Sequence, residues 1–429
     1  MDRWRFCRLP LVSMSLIMLA TAGCSGKNGT DVVATNPDKP PEPVTLKLYD
    51  AGGYFTDQDF QELIAGPTKR KYPHLTVERT VNGDLPKLVA AGETIDFFVT
   101  WHGAMNTLKP LGLYGDITPL AKKHNFDLNR FIPQGLEQLR EISDKGELYA
   151  LPYATIISVL YYNKDIFDKF GVAYPQDGMT WDNAIDLARK VTRHDGGVDY
   201  QGMDVPGLYM LYPLSPNFVD PKTDKAMLPD LETYKKAFEM GKRLYAIPGN
   251  AYEPGRASSQ FIKKRNLAML ADENRFLLLR ETAGLNWDVA QYPSYKEQPN
   301  TGLWNTMHVI IPIQTSKHRD DQMRVMEVLF SDEVQEILVR KTARVSALKD
   351  PKFKQMFGMD IPELRGKRLE SIFKSTNAPI PLTSIYYSKA SSLLTAEYIN
   401  AVTDKKDVNT ALRDAQEQIQ KYVESEKKK

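Results

Sequence analysis

Three dipeptides in this sequence set a large ring beside a second polar or aromatic side chain: Trp101-His102, Trp304-Asn305 and Tyr386-Tyr387. Flat rings pack against apolar C–H faces, and Asn, Asp, Arg and His hydrogen-bond hydroxyls, so such groupings suit a polyhydroxylated small molecule. Each ring also has a plainer reading. Trp101 can cap a core, Trp304 can pack a chain crossing, and either tyrosine can be a core residue. Tyr54 follows the Gly52-Gly53 turn, and Asn274 and Arg275 follow a strand-like run. Arg275 suits an acidic group on a sugar, such as a uronate, or equally a surface ion pair. Arg344 and Ser346 are weaker candidates of the same kind.

Other chemistries leave little trace. The sequence contains no GxxxxGK[ST], HExxH, GxSxG or CxxC pattern, and its six histidines are scattered. No cofactor and no metal site is expected. Two alternatives stay open: a pair of carboxylates acting on a glycoside, because such pairing is spatial, and iron held by Tyr386-Tyr387, because phenolate is a hard ligand. Neither amounts to an enzyme assignment.

The first residues read as an export signal. Arg3, Arg5 and Arg8 precede an apolar run from Leu9 to Ala22, too short to span a bilayer. Residues 1–23 are therefore expected to be removed. Residues 24–43, rich in Gly, Asn, Asp, Lys and Pro, read as a flexible tether after Cys24. The only other cysteine is Cys7, so no disulfide framework is expected in the exported part. The full chain has a formal net charge of +2; without residues 1–23 it is zero, and no basic block appears before Lys427-Lys428-Lys429. Nucleic acid is accordingly not an expected partner.

The roughly 405 residues that remain suggest two domains. Alternating β-rich and amphipathic segments predict strands at 44–49, 75–79 and 96–100 and helices at 59–71 and 85–91, an α/β pattern with largely parallel sheet. Further on, the pattern predicts helices at 181–192, 232–245, 258–264, 320–338 and 388–426. Pro152 interrupts a strand-like run over 148–162, as a segment crossing between lobes would.

One block is distinctive: Leu160-Tyr161-Tyr162-Asn163-Lys164-Asp165-Ile166-Phe167-Asp168-Lys169-Phe170-Gly171-Val172, then Pro175 and Thr180-Trp181-Asp182. It resembles the signature of the family 1 extracellular solute-binding proteins, the group that contains maltose-binding protein. Asp96 to Val99, Leu151-Pro152-Tyr153, Lys264 to Leu270, Ser316 to Glu336, Pro379 to Tyr387 and Ala411 to Gln416 resemble further family segments in the same order. Thr21-Ala22-Gly23-Cys24 resembles a lipoprotein box, implying a lipid on Cys24 and attachment to a membrane facing outside the cytoplasm.

The resemblance implies a two-lobe periplasmic-binding-protein-like fold with discontinuous lobes and a hinge. The expected division is 44–153 plus 266–306 for lobe one and 154–265 plus 307–429 for lobe two. It implies a monomer that binds a carbohydrate between the lobes and hands it to ABC permease subunits with their ATPase. A polyamine, a peptide or iron is the alternative cargo. The expected ligand contacts are Tyr54, Trp101, His102, Tyr153, Asn274, Arg275, Trp304, Asn305, Tyr386 and Tyr387. Tyr387 falls where the family stacks a ring on its ligand, and Arg275 where the family often has tryptophan.

Overall fold

The computed structural model describes residues 42–428 except 82–84, 229–230 and 281. The expected signal segment, Cys24 and the tether up to residue 41 lie outside the described residues. Among the described residues thirteen strands run in chain order as β1 Val44–Asp50, β2 Leu75–Val81, β3 Phe97–Trp101, β4 Leu151–Thr155, β5 Ser158–Asn163, β6 Arg193–Asp195, β7 Val198–Asp204, β8 Leu267–Glu273, β9 Trp287–Ala290, β10 Thr301–Trp304, β11 Met307–Pro312, β12 Val345–Ser346 and β13 Thr376–Ala378.

They form two main sheets. The first has the order β12-β4-β11-β3-β1-β2 and the second β6-β7-β8-β5-β9, with β10 and β13 as a separate parallel ribbon. In the first sheet β1 pairs in parallel with both β2 and β3, while β11 runs antiparallel between β3 and β4. In the second, β5 is antiparallel to β8 and β9. Period-two patterning makes β5 a divider between cores: Leu160 and Tyr162 enter one, Val159 and Tyr161 the other.

The α/β two-lobe expectation holds, but the expected division of the chain does not. The first core draws on 46–154 and 307–353, the second on 160–303 and 386–423. Segment 266–306 therefore stays in lobe two, because β8 pairs with β5 and β7. The chain returns to lobe one only through β11. Residues 307 to about 353 belong to lobe one, and the chain crosses back after them.

The crossings are short. β4 ends at Thr155 and β5 begins at Ser158, leaving Ile156-Ile157 between the sheets, and Asn305-Thr306 make the return. Pro152 lies within β4 rather than at the crossing. It is tolerated there because β12 pairs only with Thr155 and Ala154, so no strand needs an N–H from Pro152 on that side.

Two long predicted helices are each split. Residues 320–338 divide into Arg319–Leu329 and Asp332–Lys341, the second capped by the Ser331 hydroxyl on the Val334 N–H. Residues 388–426 divide into Tyr387–Val402 and Val408–Glu426, where the Asp407 carboxylate accepts from Thr410 N–H. Helix 57–71 runs on through a π-turn at Gln61–Ala65, in which Gly66 N–H reaches back to Gln61 C=O. Pro67 has no N–H to offer the regular ladder there.

Candidate ligand-binding cleft

The strand ends of the two sheets face each other across Ile156-Ile157, and a cleft of about 400 Å³ opens between them. Lobe one contributes Tyr54, Trp101 and His308; lobe two contributes Tyr209, Tyr212, Glu273, Asn274, Trp304 and Tyr387. Six of these side chains are large aromatics.

Tyr54 is held by its backbone. The buried Asp50 carboxylate accepts the N–H groups of Tyr54 at 2.8 Å and Phe55 at 3.1 Å. From the other side Arg344 donates to the Tyr54 carbonyl at 2.7 Å and to Asp59 at 2.9 Å. The weaker sequence candidate Arg344 is thus a buried brace for the Tyr54 loop. The Tyr54 ring meets His308 edge-on at 4.7 Å, and burial raises its hydroxyl pKa.

Trp101 ends β3, and its ring lies over Gly103; a Cβ at Gly103 would stand 2.0 Å from the indole. This is a position only glycine can fill without moving the ring. Across the cleft Trp304 ends β10 and stacks on Tyr212, with centroids 4.1 Å apart and planes at 11°. Tyr387 opens the helix Tyr387–Val402. Its ring stacks on Phe218 at 5.4 Å and meets Trp101 edge-on at 5.9 Å, so it bridges the aromatic surfaces of the two lobes. Burial, with the neighbouring Tyr212 hydroxyl, pushes the Tyr387 hydroxyl pKa well above its usual range.

The charged groups around the cleft are mostly compensated. Arg275 Nε and Nη2 reach the two oxygens of Asp272 at 2.8 and 3.3 Å. His308 is kept neutral: burial first, then Arg344 and His102, bring its pKa down to about 3. Glu273 is different. Its carboxyl lines the cleft and its pKa is raised by burial and by Asp272, against the opposing pull of Arg275 and a hydrogen bond from Tyr209.

Of the expected contacts, Tyr54, Trp101, Asn274, Trp304 and Tyr387 are brought together on this cleft. The other five are not. His102 turns inward: its Nδ1 accepts the Met307 N–H at 3.0 Å, and burial lowers its pKa to about 4. Tyr153 is fully buried and stacks on Phe55 at 4.7 Å. It is the bulged residue of β4, since the β11 register jumps from Ala154 to Pro152. Arg275 is committed to Asp272. Asn305 donates to Gln138 at 2.8 Å and lines a separate cavity of about 500 Å³ on the other side of the crossings. Tyr386 packs edge-on against Tyr422 at 6.0 Å in the second core. Tyr386 and Tyr387 thus point apart and do not form a joint ligand pair. Among the described residues no group of three or more His, Cys, Asp or Glu is placed to hold a metal ion.

Sequence reasoning missed Tyr209, Tyr212, Glu273 and His308. Tyr209-Met210-Leu211-Tyr212 lies in an irregular stretch with no periodic signal. Glu273 adjoins Asn274, which was singled out, so attention to the last residue of β8 would have found it. His308 lies inside an apolar strand and carries no local mark.

A description of the bacterial extracellular solute-binding protein family matches residues 52–336, and the chain belongs to that family. An uncharacterised ABC transporter extracellular-binding protein of Pyrococcus horikoshii is 25% identical over 204 residues. That match covers 44% of this chain and 44% of the relative. The fold has wider coverage among solved structures. An ABC substrate-binding protein from Listeria monocytogenes, solved with cycloalternan, superposes with a TM-score of 0.73 at 17% identity, over 89% of this chain and 99% of that one. A sugar transporter protein from Rhizobium etli, in an open conformation, gives 0.70 at 19% identity, over 88% and 99%.

Proposed function

We propose that this chain is the ligand-capturing subunit of a bacterial ABC importer and that a carbohydrate occupies its inter-lobe cleft. The observation that carries the reading is the cleft itself: rings from both lobes facing one another at a two-lobe hinge, rimmed by Glu273, Asn274 and His308. Rings supply faces for sugar C–H groups and the rim supplies hydrogen bonds. The cycloalternan-bound Listeria protein and the Rhizobium sugar transporter protein, both of the same fold, support a sugar as cargo. Among the described residues one carboxylate lines the cleft, whereas most glycoside cleavage uses two. The protein is a binder rather than an enzyme on this reading. It acts as a monomer, tethered through a lipid on Cys24 outside the cytoplasm, and passes its ligand to permease subunits powered by an ATPase.

The test is thermal unfolding of residues 25–429 against oligosaccharides, uronates, amino acids, polyamines and iron(III). A ligand that binds only the folded state stabilises it by about 2.7 kcal/mol at a hundredfold excess over Kd. A shift with sugars is the expected result. A shift with iron or a non-sugar amine alone overturns the carbohydrate reading.

A further inference from the structure

The charge in the cleft does not balance. Around it, Arg344 pairs with Asp59 at 2.9 Å, Arg275 with Asp272 at 2.8 Å and Arg79 with Asp50 at 3.4 Å. His308 is held neutral by burial. Among the described residues Glu273 is the one acidic side chain lining the cleft. Its carboxylate is favoured by Arg275 and by a hydrogen bond from the Tyr209 hydroxyl, but that guanidinium, two residues on, is shared with Asp272, to which its Nε and Nη2 are hydrogen-bonded. Two carboxylates, Asp272 and Glu273, that share one guanidinium leave a net negative charge, which is costly to draw out of water, and closure of the lobes on a ligand would withdraw it further. Tyr209, Tyr212, Trp304 and Tyr387 surround the same space, and their ring faces attract cations.

From this juxtaposition we infer that the preferred ligand is a sugar bearing a protonated amine, with Glu273 as the residue that sets this preference. Glu273 supplies the counter-charge, Tyr209 orients the carboxylate, and the rings hold the sugar body. The same arrangement disfavours uronates, for which Arg275 is no longer available. The inference rests on the carbohydrate reading and narrows it.

The experiment is calorimetric titration of residues 25–429, at about pH 6.5 so that the amine is protonated. The probes are matched 2-amino, 2-acetamido and 2-hydroxy hexoses with their β-1,4-linked trimers, plus trigalacturonate and spermidine. The expected result is about tenfold or more tighter binding of the amino sugar than of its acetylated partner. In Glu273→Gln that ratio collapses towards one; in Glu273→Asp, which keeps the charge, it retains its sign. Equal affinities for amino and acetylated sugars, or tighter binding of the uronate, overturn the inference and leave the carbohydrate reading standing. A ratio unchanged in Glu273→Gln overturns the role of Glu273. Binding of spermidine but no sugar, or of none of the probes, overturns both. The wild-type comparison decides the preference even if the variants fail to fold.

Discussion

Tyr387 meets two of the cleft's rings, Trp101 and Trp304, while its own face is backed by the buried Phe218. Tyr387→Ala should weaken ligand binding by about 1 kcal/mol or more, the usual worth of an aromatic pair. Tyr387→Phe should keep most of that affinity. Titration calorimetry checks both, with a melting curve to show that the fold survives. His102 and His308 make a second prediction. Their folded pKa values, about 4 and about 3, lie below the ordinary 6.5. The folded state therefore binds these protons less readily than the unfolded chain. Their contribution is fully present above pH 6.5 and is lost as pH falls from there towards 3–4, by up to roughly 3 kcal/mol for His102 and roughly 5 kcal/mol for His308. Asp204, whose pKa is raised to about 6, acts in the opposite sense over part of that range. Proton NMR should find both imidazoles still neutral at pH 5; a normal titration near 6.5 would sink the claim. Ring type and neighbourhood made Trp101, Trp304 and Tyr387 legible in the sequence. Which of two adjacent tyrosines faces the cleft was not, because the Tyr386-Tyr387 pair sits where irregular chain becomes helix and has no periodicity to orient it.

The elements behind the cleft are braced by contacts far apart in sequence. Arg344 and Asp59 pair at 2.9 Å with side chains only 9% and 10% exposed. Arg344→Met leaves Asp59 buried without its partner and removes the donor to the Tyr54 carbonyl. It should cost roughly 3 kcal/mol of stability or more, whereas the double change Arg344→Met with Asp59→Leu should cost less. Chemical denaturation of the three variants would decide this, and equal losses in single and double variants would refute it. At the turn after β3, Gly103→Ala places a methyl against the Trp101 indole and should weaken ligand binding about tenfold or more by displacing that ring. Strands β1 to β3 and the helices flanking them were readable from periodicity. The breaks at Ser331 and Asp407 were not placed, although each is a capping residue, because the apolar pattern continues across them. Arg344 read as a weak ligand contact because nothing local reveals a partner 285 positions away.

At the scale of the whole molecule, the two lobes meet through short crossings, and Ile156-Ile157 has little length in which to absorb motion. A cognate ligand should bring the lobes together as a rigid-body hinge movement. Residues 25–429 contain no cysteine, so a dye pair placed at one introduced cysteine per lobe should report a distance that shortens on ligand addition. An unchanged distance with saturating ligand would remove hinge closure from the account. The family signature around Tyr161-Tyr162 made the two-lobe plan legible, yet the division of the chain was misjudged at β8 and β11. Both are apolar runs suited to either sheet, and only pairing partners distinguish them. The placement of β11 has a consequence for the timing of folding. It is an interior strand of the first sheet, and its first residue donates to His102 from 205 positions further along the chain. Until β11 has emerged, β3 and β4 have an empty lane between them and the first lobe cannot close its core. Such long-range pairing makes folding slow. A newly made chain therefore cannot complete its first sheet until residue 312 has been synthesised, although the strands of the second sheet are all in place by residue 290.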